Sequence, residues 1–222
     1  MKRILLLNGG VRKTGSSSMF LTELKKIMEA KGHKVKILHI IDHMDGKLSK
    51  EGLVAAIRGS DLVGLSCSCY VNTMPYSTIN CLEDLLEEDK KAFIGREIFV
   101  IAHGGMPYLD VHEHIVRVVE VFAEKQGMKF LGGLICGLTP LINGKPLDER
   151  NFISKRIKKA FIQLSEEVLA GKVISSASQK NILSKIPTFL AYPMATFLTK
   201  AVVKDRAAHG IDIKKIYPNV KF

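Results

Sequence analysis

The sequence of 222 residues contains no tryptophan and only four cysteines. Cys67, Cys69, Cys81 and Cys136 lack the paired CxxC spacing of a zinc site, and they are too few for a disulfide-stapled secreted scaffold. No apolar run reaches the roughly 18 residues of a membrane-spanning helix, and the first residues enter an apolar run without room for a signal peptide. We therefore expect free thiols and a cytoplasmic protein.

Acidic residues are also scarce: the sequence has 22 of them and 33 lysines and arginines, which gives a formal net charge of +11. Strongly basic chains often bind nucleic acid or anionic surfaces. Here the lysines are spread through almost every predicted helix, and no basic run alternates with aromatic residues, so a nucleic-acid partner is not expected. The positive field instead favours an anionic small molecule.

The stretch NGGVRKTGSSS, residues 8–18, lies between an apolar strand and an amphipathic helix. Its composition predicts a phosphate-binding turn, because a helix N-terminus presents unpaired N–H groups and a partial positive charge. Three consecutive serines add hydroxyl groups that can cap the helix, and Arg12 and Lys13 add full charges. An ordinary βα turn with solvated basic residues is the alternative interpretation.

The glycine spacing of this turn excludes two standard nucleotide motifs. A P-loop requires GxxxxGK[ST], whereas Lys13 precedes Gly15 here. A dinucleotide fingerprint requires GxGxxG, which Gly9, Gly10 and Gly15 do not form.

The turn instead resembles the NGSPRKxGNTS loop of the NAD(P)H-dependent FMN reductases and related flavodoxin-like oxidoreductases. The directly matching residues are Asn8, Gly9, Arg12, Lys13, Gly15 and Ser18. Ser17 replaces a threonine of the family loop. Gly10 and Val11 stand where the family usually has Ser-Pro, so one phosphate-binding hydroxyl is missing. The resemblance implies that this loop binds the phosphate of FMN.

A second loop, CSCYVNTMPYS at residues 67–77, follows the third predicted strand. It resembles the PVYxxxMP loop of the same family, with Tyr70, Met74 and Pro75 in register. In that family the loop's backbone and aromatic ring flank the isoalloxazine. The alternative is a core-capping tyrosine beside a helix-starting proline, and no neighbouring acid or histidine marks either thiol of the loop as a nucleophile.

A third loop, HGGMP at residues 103–107, follows the fourth predicted strand. It resembles the family loop whose glycine amides meet the flavin, and glycine suits this role because backbone must approach a flat ring closely. His103, His112 and His114 are poorly spaced for a metal site, so none is expected. Only His103 is a candidate ligand contact.

Apolar strands alternate with helices along residues 1–172, which is typical of βαβ units with a parallel sheet. The resemblance implies an α/β, flavodoxin-like, doubly wound sheet of five strands in the order 2-1-3-4-5. The ligand of such a sheet binds at the carboxyl ends of the strands, beside the first strand. The Gly-Gly pair within FLGGLIC, residues 130–136, predicts a bulge or close packing.

Residues 173–222 are predicted to form a C-terminal extension. Within it, residues 182–203 are apolar but are interrupted by Pro187 and Pro193 and flanked by lysines, which is unsuited to a bilayer-spanning helix. We expect this stretch to pack across a homodimer interface and to wall the flavin pocket. Peripheral contact with an anionic membrane surface is the less favoured alternative.

The resemblance implies an FMN-dependent NAD(P)H oxidoreductase that passes electrons to a quinone, a flavin or a similar small-molecule acceptor. No catalytic acid or base is expected, because hydride passes directly from nicotinamide to flavin. The alternative is a flavodoxin-like FMN-binding electron-transfer module without NAD(P)H activity of its own, whereas an iron–sulfur flavoprotein would need a cysteine cluster that this chain lacks. The candidate cofactor-binding residues are Gly9, Gly10, Arg12, Lys13, Ser16, Ser17, Ser18, Ser68, Cys69, Tyr70, Val71, Asn72, Thr73, Met74, His103, Gly104 and Gly105.

Overall fold

The computed structural model describes residues 1–88, 93–106, 110–142, 144–147 and 152–182, together with isolated positions between 193 and 212. The chain divides into two compact units, Met1–Ser184 and Lys185–Phe222. Residues 174–182 of the first unit pack on the edge of the sheet, and the predicted division of the chain between residues 172 and 173 stays a prediction. The apolar stretch at residues 182–203, with its predicted dimer contact, lies mostly outside the described residues.

Strands and helices alternate along the first unit. In chain order they are β1 (Arg3–Asn8), α1 (Ser16–Ala30), β2 (Lys34–His39), α2 (Ile41–Met44), α3 (Lys50–Arg58), β3 (Leu62–Ser68), α4 (Tyr76–Leu86), β4 (Glu97–His103), α5 (Asp110–Lys125), β5 (Lys129–Cys136), α6 (Phe152–Leu169) and α7 (Ser176–Asn181). A 3-10 turn, Thr139–Leu141, follows β5.

The five strands form one parallel sheet in the order β2-β1-β3-β4-β5, which is the predicted topology. From β1 the chain first crosses to β2 on one side and then returns to β3 on the other. The connections therefore leave β1 and β3 in opposite directions, and a crevice opens at the carboxyl ends of these two strands.

The sheet separates two apolar cores, because successive side chains of a strand point to opposite faces. Leu5 and Leu7 of β1 face a core shared with α3, α4 and α5. Ile4 and Leu6 face a second core shared with α1 and α6. Burial on both faces explains why the central strands read as continuous apolar runs.

The longer helices each bury one stripe. In α1, Phe20, Leu24 and Met28 are fully buried at a spacing of four residues. Ile115 and Val119 do the same in α5. Within the part of the chain that the structure describes, no helix combines the length and the apolar character that a bilayer crossing requires.

Two strands extend further than the sequence predicts. Cys67 and Ser68 continue β3, because they pair in register with Ala102 and His103 of β4. Cys67 and Ser68 were expected in the loop, and His103 was expected after the strand, so both assignments are corrected. Regular pairing thus fixes the backbone of Ser68 and His103 at the rim of the crevice.

Of the two features predicted for the Gly-Gly pair of β5, a bulge or close packing, the structure shows a bulge. Ile98 pairs with Phe130 and Val100 pairs with Gly133, so β5 carries one extra residue between these pairs. Gly132 lies there with a φ of 98°, a backbone conformation that favours glycine.

Candidate functional site

A cavity of about 370 Å³ lies at the carboxyl ends of β1, β3, β4 and β5. Its volume falls within the range of small-molecule sites. The residues that line it come from the loops after these four strands and from the first turn of α1: Gly10, Val11, Arg12, Thr14, Gly15, Ser16, Ser17, Ser68, Cys69, Tyr70, His103, Gly104, Gly105, Thr139, Pro140 and Gly144. Among the described residues that line the cavity, Arg12 carries a positive charge and none is acidic. The cavity therefore favours an anion.

Most of the predicted site residues meet in this cavity. The three loops that contain them are far apart in sequence, and the sheet brings them to one edge. The predicted residues that line the cavity are Gly10, Arg12, Ser16, Ser17, Ser68, Cys69, Tyr70, His103, Gly104 and Gly105.

Other residues of the first loop point elsewhere. The Gly9 carbonyl accepts a buried hydrogen bond from Thr78 Oγ1 at 2.7 Å, and neither residue lines the cavity. Lys13 Nζ lies 2.6 Å from Asp42 Oδ1, and this ion pair lowers the pKa of the Asp42 carboxyl. Ser18 also does not line the cavity. The charge of Lys13 is therefore directed to α2, whereas Arg12 faces the cavity.

Asn8, the last residue of β1, shapes the first loop. Its side-chain Oδ1 accepts from the Gly10 N–H at 2.9 Å, and its Nδ2 donates to the Arg12 carbonyl at 3.1 Å. Nδ2 also lies 2.9 Å from His39 Nδ1, which acts as the acceptor. Burial lowers the pKa of His39, in keeping with this neutral acceptor role. One buried amide thus ties the loop to two neighbouring strands.

Helix α1 begins at Ser16 and is capped by the backbone of Gly15, which has a φ of 146°. The predicted capping by serine hydroxyls is wrong, because no side chain caps this helix. Its first intrahelical bond runs from Met19 N–H to the Gly15 carbonyl at 2.9 Å. The N–H groups of the three serines precede that bond and form the positive end of the helix.

Ser17 is hydrogen bonded across the cavity floor to the end of β4. Its Oγ lies 2.7 Å from His103 Nε2. His103 is only 3% exposed, and its ring packs edge-on against Phe20 with centroids 5.2 Å apart. Burial, with a smaller contribution from nearby His112, lowers the pKa of His103 to about 3. His103 is therefore neutral at physiological pH.

The second loop forms a tight turn. Tyr70 and Thr73 exchange two backbone hydrogen bonds, of 2.8 and 3.1 Å. Between them, Val71 and Asn72 have φ values of 48° and 63°, which is strained for a β-branched residue such as valine. Tyr70 lines the cavity and is 48% exposed, whereas Val71 projects into solvent at the tip.

Four predicted residues of this loop lie away from the cavity lining. They are Val71, Asn72, Thr73 and Met74. The Met74 side chain is 2% exposed and packs in the core shared with α3, α4 and α5.

The third loop carries backbone without side chains to the cavity. A Cβ on Gly104 would not fit, because it would lie 2.5 Å from Cε1 of His112, whereas a Cβ on Gly105 would meet Cγ of Pro140 at an ordinary 3.5 Å. His112 is buried behind this loop, and its Nε2 lies 3.1 Å from the Met106 carbonyl. Gly104 and Gly105 therefore form a wall of bare backbone.

No protein-family model and no curated protein matches the sequence. Solved structures match it at low identity. The apo form of the NADH:FMN oxidoreductase EMOB aligns with a TM-score of 0.56 and 15% identity, over 85% of this chain and 99% of that chain. The Fusobacterium nucleatum flavodoxin bound to flavin mononucleotide aligns with a TM-score of 0.54 and 18% identity, over 78% and 99% of the two chains.

The fold is flavodoxin-like. A third neighbour, RosB with bound 8-demethyl-8-formylriboflavin-5'-phosphate, aligns with a TM-score of 0.51 and 15% identity, over 62% of this chain and 65% of that chain. The structural neighbours include flavodoxin-like FMN-binding reductases, and the predicted fold class is confirmed.

The flavodoxin-like sheet also places a fourth loop at the cavity that the sequence interpretation missed. Thr139 donates to the Gly104 carbonyl through both its N–H, at 3.0 Å, and its Oγ1, at 3.1 Å. Gly144 packs against Gly15: a Cβ added to Gly144 would lie 2.8 Å from the Cα of Gly15. The available signal was position alone, because every strand of a parallel sheet sends its carboxyl end to the same edge.

Two further features define the chemistry of the cavity. No group of three or more potential metal-ligating side chains exists among the described residues. Burial raises the pKa of the Cys69 thiol, so this lining residue is not an activated thiolate.

Proposed function

We propose that the protein is an FMN-dependent NAD(P)H oxidoreductase that passes electrons to a quinone, a flavin or a similar small acceptor. The observation that carries the proposal is the composition of the cavity. One end combines a helix N-terminus with Arg12 and serine hydroxyls, and the other combines an aromatic side chain with bare glycine backbone. A phosphate monoester joined to a flat ring matches both ends.

The phosphate end fits the 5'-phosphate of FMN. Arg12 supplies a cation that can bond two phosphate oxygens, and the first turn of α1 supplies N–H groups and the hydroxyls of Ser16 and Ser17. A Cβ on Gly10 would lie 2.8 Å from Ser17 Oγ, so glycine keeps this floor open. These donors bind a phosphate dianion more strongly than a neutral ligand, because hydrogen bonds to an ionised acceptor are stronger.

The ring end fits the isoalloxazine. Tyr70 contributes an aromatic side chain, and Gly104 and Gly105 contribute backbone that a flat ring can approach closely. Pro140 adds an apolar surface on the β5 side of the cavity.

Bound FMN would supply the redox chemistry, accepting a hydride from NAD(P)H and returning electrons to the acceptor. The protein's own residues bind and orient it. With His103 neutral and the Cys69 thiol un-ionised, these two described lining residues supply no acid or base poised near neutral pH, and hydride transfer requires none. The positive net charge attracts an anionic dinucleotide.

A flavodoxin-like electron-transfer module without NAD(P)H activity is the second candidate. It is supported by the flavodoxin neighbour, whose TM-score is close to that of the oxidoreductase. The strongly basic composition favours the reductase, because it raises the local concentration of NAD(P)H.

The deciding experiment mixes FMN-loaded protein with NADH or NADPH under anaerobic conditions and follows the flavin absorbance. We expect bleaching by at least one nucleotide and recovery when a quinone is added. Bleaching by dithionite alone would favour the carrier. Heat release and chromatography identify the flavin, and FAD in place of FMN would contradict the proposed phosphate site.

We also propose that the full chain is a homodimer. The apolar residues 182–203 provide the reason, since so apolar a stretch calls for a covering surface. Light scattering coupled to size exclusion checks this, and a monomeric mass across a tenfold concentration range would refute it.

A further inference from the structure

The contact between Ser17 and His103 links the phosphate end of the cavity to the end of β4. A serine hydroxyl has one proton and two lone pairs, so the 2.7 Å contact can form in two ways. Either Ser17 donates its proton to His103 Nε2, or Nε2–H donates to Ser17 Oγ. The first arrangement presents only lone pairs to the cavity, whereas the second leaves the hydroxyl proton available there.

The surroundings of His103 favour the second arrangement. Its other ring nitrogen, Nδ1, is buried and has no hydrogen-bond partner within the described residues. A neutral imidazole carries a single proton. A proton on Nδ1 would be a buried N–H without an acceptor, a rare situation in folded proteins. A proton on Nε2 is satisfied by Ser17 Oγ.

Packing holds both partners in place. Phe20 contacts the imidazole edge-on at an interplanar angle of 81°, which fixes the ring plane. The absence of a side chain at Gly10 provides the space for the Ser17 hydroxyl. Both Ser17 and His103 line the cavity although each is largely buried.

We propose that His103 is a positioning residue for the phosphate end of the cavity: its Nε2–H donates to Ser17 Oγ and thereby directs the Ser17 proton toward a phosphate oxygen of the ligand. The inference rests on the proposed function for the identity of that ligand. It assigns a role to a buried histidine that hydride transfer does not use.

The tautomer can be read directly, without any flavin. Nitrogen-15 NMR of the histidine rings in the full chain distinguishes Nε2–H from Nδ1–H, and His103→Gln assigns the signal. We expect His103 to be the Nε2–H tautomer. An Nδ1–H tautomer would overturn the inference.

The consequence for binding is tested with FMN and with riboflavin, which lacks the phosphate. We expect His103→Leu to weaken FMN about tenfold or more and to leave riboflavin affinity unchanged, because only the phosphate uses the Ser17 proton. His103→Gln, which keeps an N–H donor, should recover most of the FMN affinity. In a Ser17→Ala background His103→Leu should have no further effect on FMN.

Ser165→Ala is the matched control. Its buried hydroxyl donates to the Phe161 carbonyl at 2.7 Å within α6 and does not line the cavity, so both affinities should persist. Equal losses for FMN and riboflavin in His103→Leu, or additive losses in the double variant, would overturn the inference alone. A wild-type protein that binds neither flavin would overturn the proposed function together with it.

Discussion

The side chain of Gln179 pairs with both backbone groups of Ile135. The Ile135 N–H donates to Gln179 Oε1 at 2.8 Å, and Gln179 Nε2 donates to the Ile135 carbonyl at 2.8 Å. Ile135 lies on β5, which is an edge strand of the sheet. The amide therefore occupies the place of a neighbouring strand and protects an edge that would otherwise be open to pairing.

We expect Gln179→Ala to lower the free energy of unfolding by about 1–3 kcal/mol, because it removes two hydrogen bonds from partly buried backbone. Urea denaturation measures the loss. Lys180→Ala, at the exposed neighbouring position, is the control and should change stability little. Equal stability of the two variants would show that Gln179 does not protect the edge.

Acid should destabilise the protein through His103. Burial, with a smaller effect of His112, lowers its pKa from the ordinary 6.5 of histidine to about 3 in the native state. The neutral form is thus favoured by folding, and its stabilising contribution is complete above pH 6.5 and is lost as the pH falls from there toward 3. The expected loss is about 1.4 kcal/mol per pH unit over most of this window.

Denaturation of wild type and His103→Gln at several pH values checks this expectation. The histidines common to both proteins, such as His39, contribute to both curves and cancel in the difference. The wild-type curve should fall more steeply below pH 6.5. Parallel curves would mean that His103 takes up its proton in the native state as readily as in the unfolded chain.

Arg12 and Lys13 are adjacent cations with different partners, so they provide a matched pair. Arg12 lines the cavity, whereas Lys13 pairs with Asp42 of α2. We expect Arg12→Ala to weaken FMN about tenfold or more, since charge-assisted hydrogen bonds to phosphate are lost. Lys13→Ala should have a much smaller effect. Flavin fluorescence titration measures both, and similar losses would indicate that the loop attracts FMN only through its total charge.

Most of the fold could be predicted from the sequence, because the central strands are continuous apolar runs separated by helical stripes. The topology rested on the resemblance of three loops. The strand ends were misjudged at Ser68 and His103, which are polar but pair in register with each other. Local polarity could not reveal a pairing that depends on a neighbouring strand.

The site was predictable only where a loop carries a motif. Thr139 belongs to no such motif. Its place at the cavity depends on its hydrogen bond to the Gly104 carbonyl, which lies in another loop. The adjacent cations Arg12 and Lys13 look equivalent in the sequence. In the structure, Lys13 pairs with Asp42 and so does not face the cavity. The prediction that a serine hydroxyl caps α1 was wrong, because Gly15 adopts a backbone conformation that leads directly into this helix.

Gly104 and Gly105 should respond differently to alanine, although they are neighbours in the same loop. A Cβ at Gly104 would lie 2.5 Å from His112, a buried ring, so Gly104→Ala forces the loop to shift. We expect it to cost about 1–3 kcal/mol of stability. A Cβ at Gly105 would meet Pro140 at an ordinary 3.5 Å, so Gly105→Ala should fold normally.

The added methyl at Gly105 nevertheless occupies the ring end of the cavity. Gly105→Ala should therefore weaken FMN and riboflavin by the same factor, because the ring is common to both ligands. Thermal denaturation and flavin titration together separate the two substitutions. If Gly105→Ala weakened FMN but spared riboflavin, the bare backbone of this loop would contact the phosphate, and the orientation of the flavin in the cavity would have to be reversed.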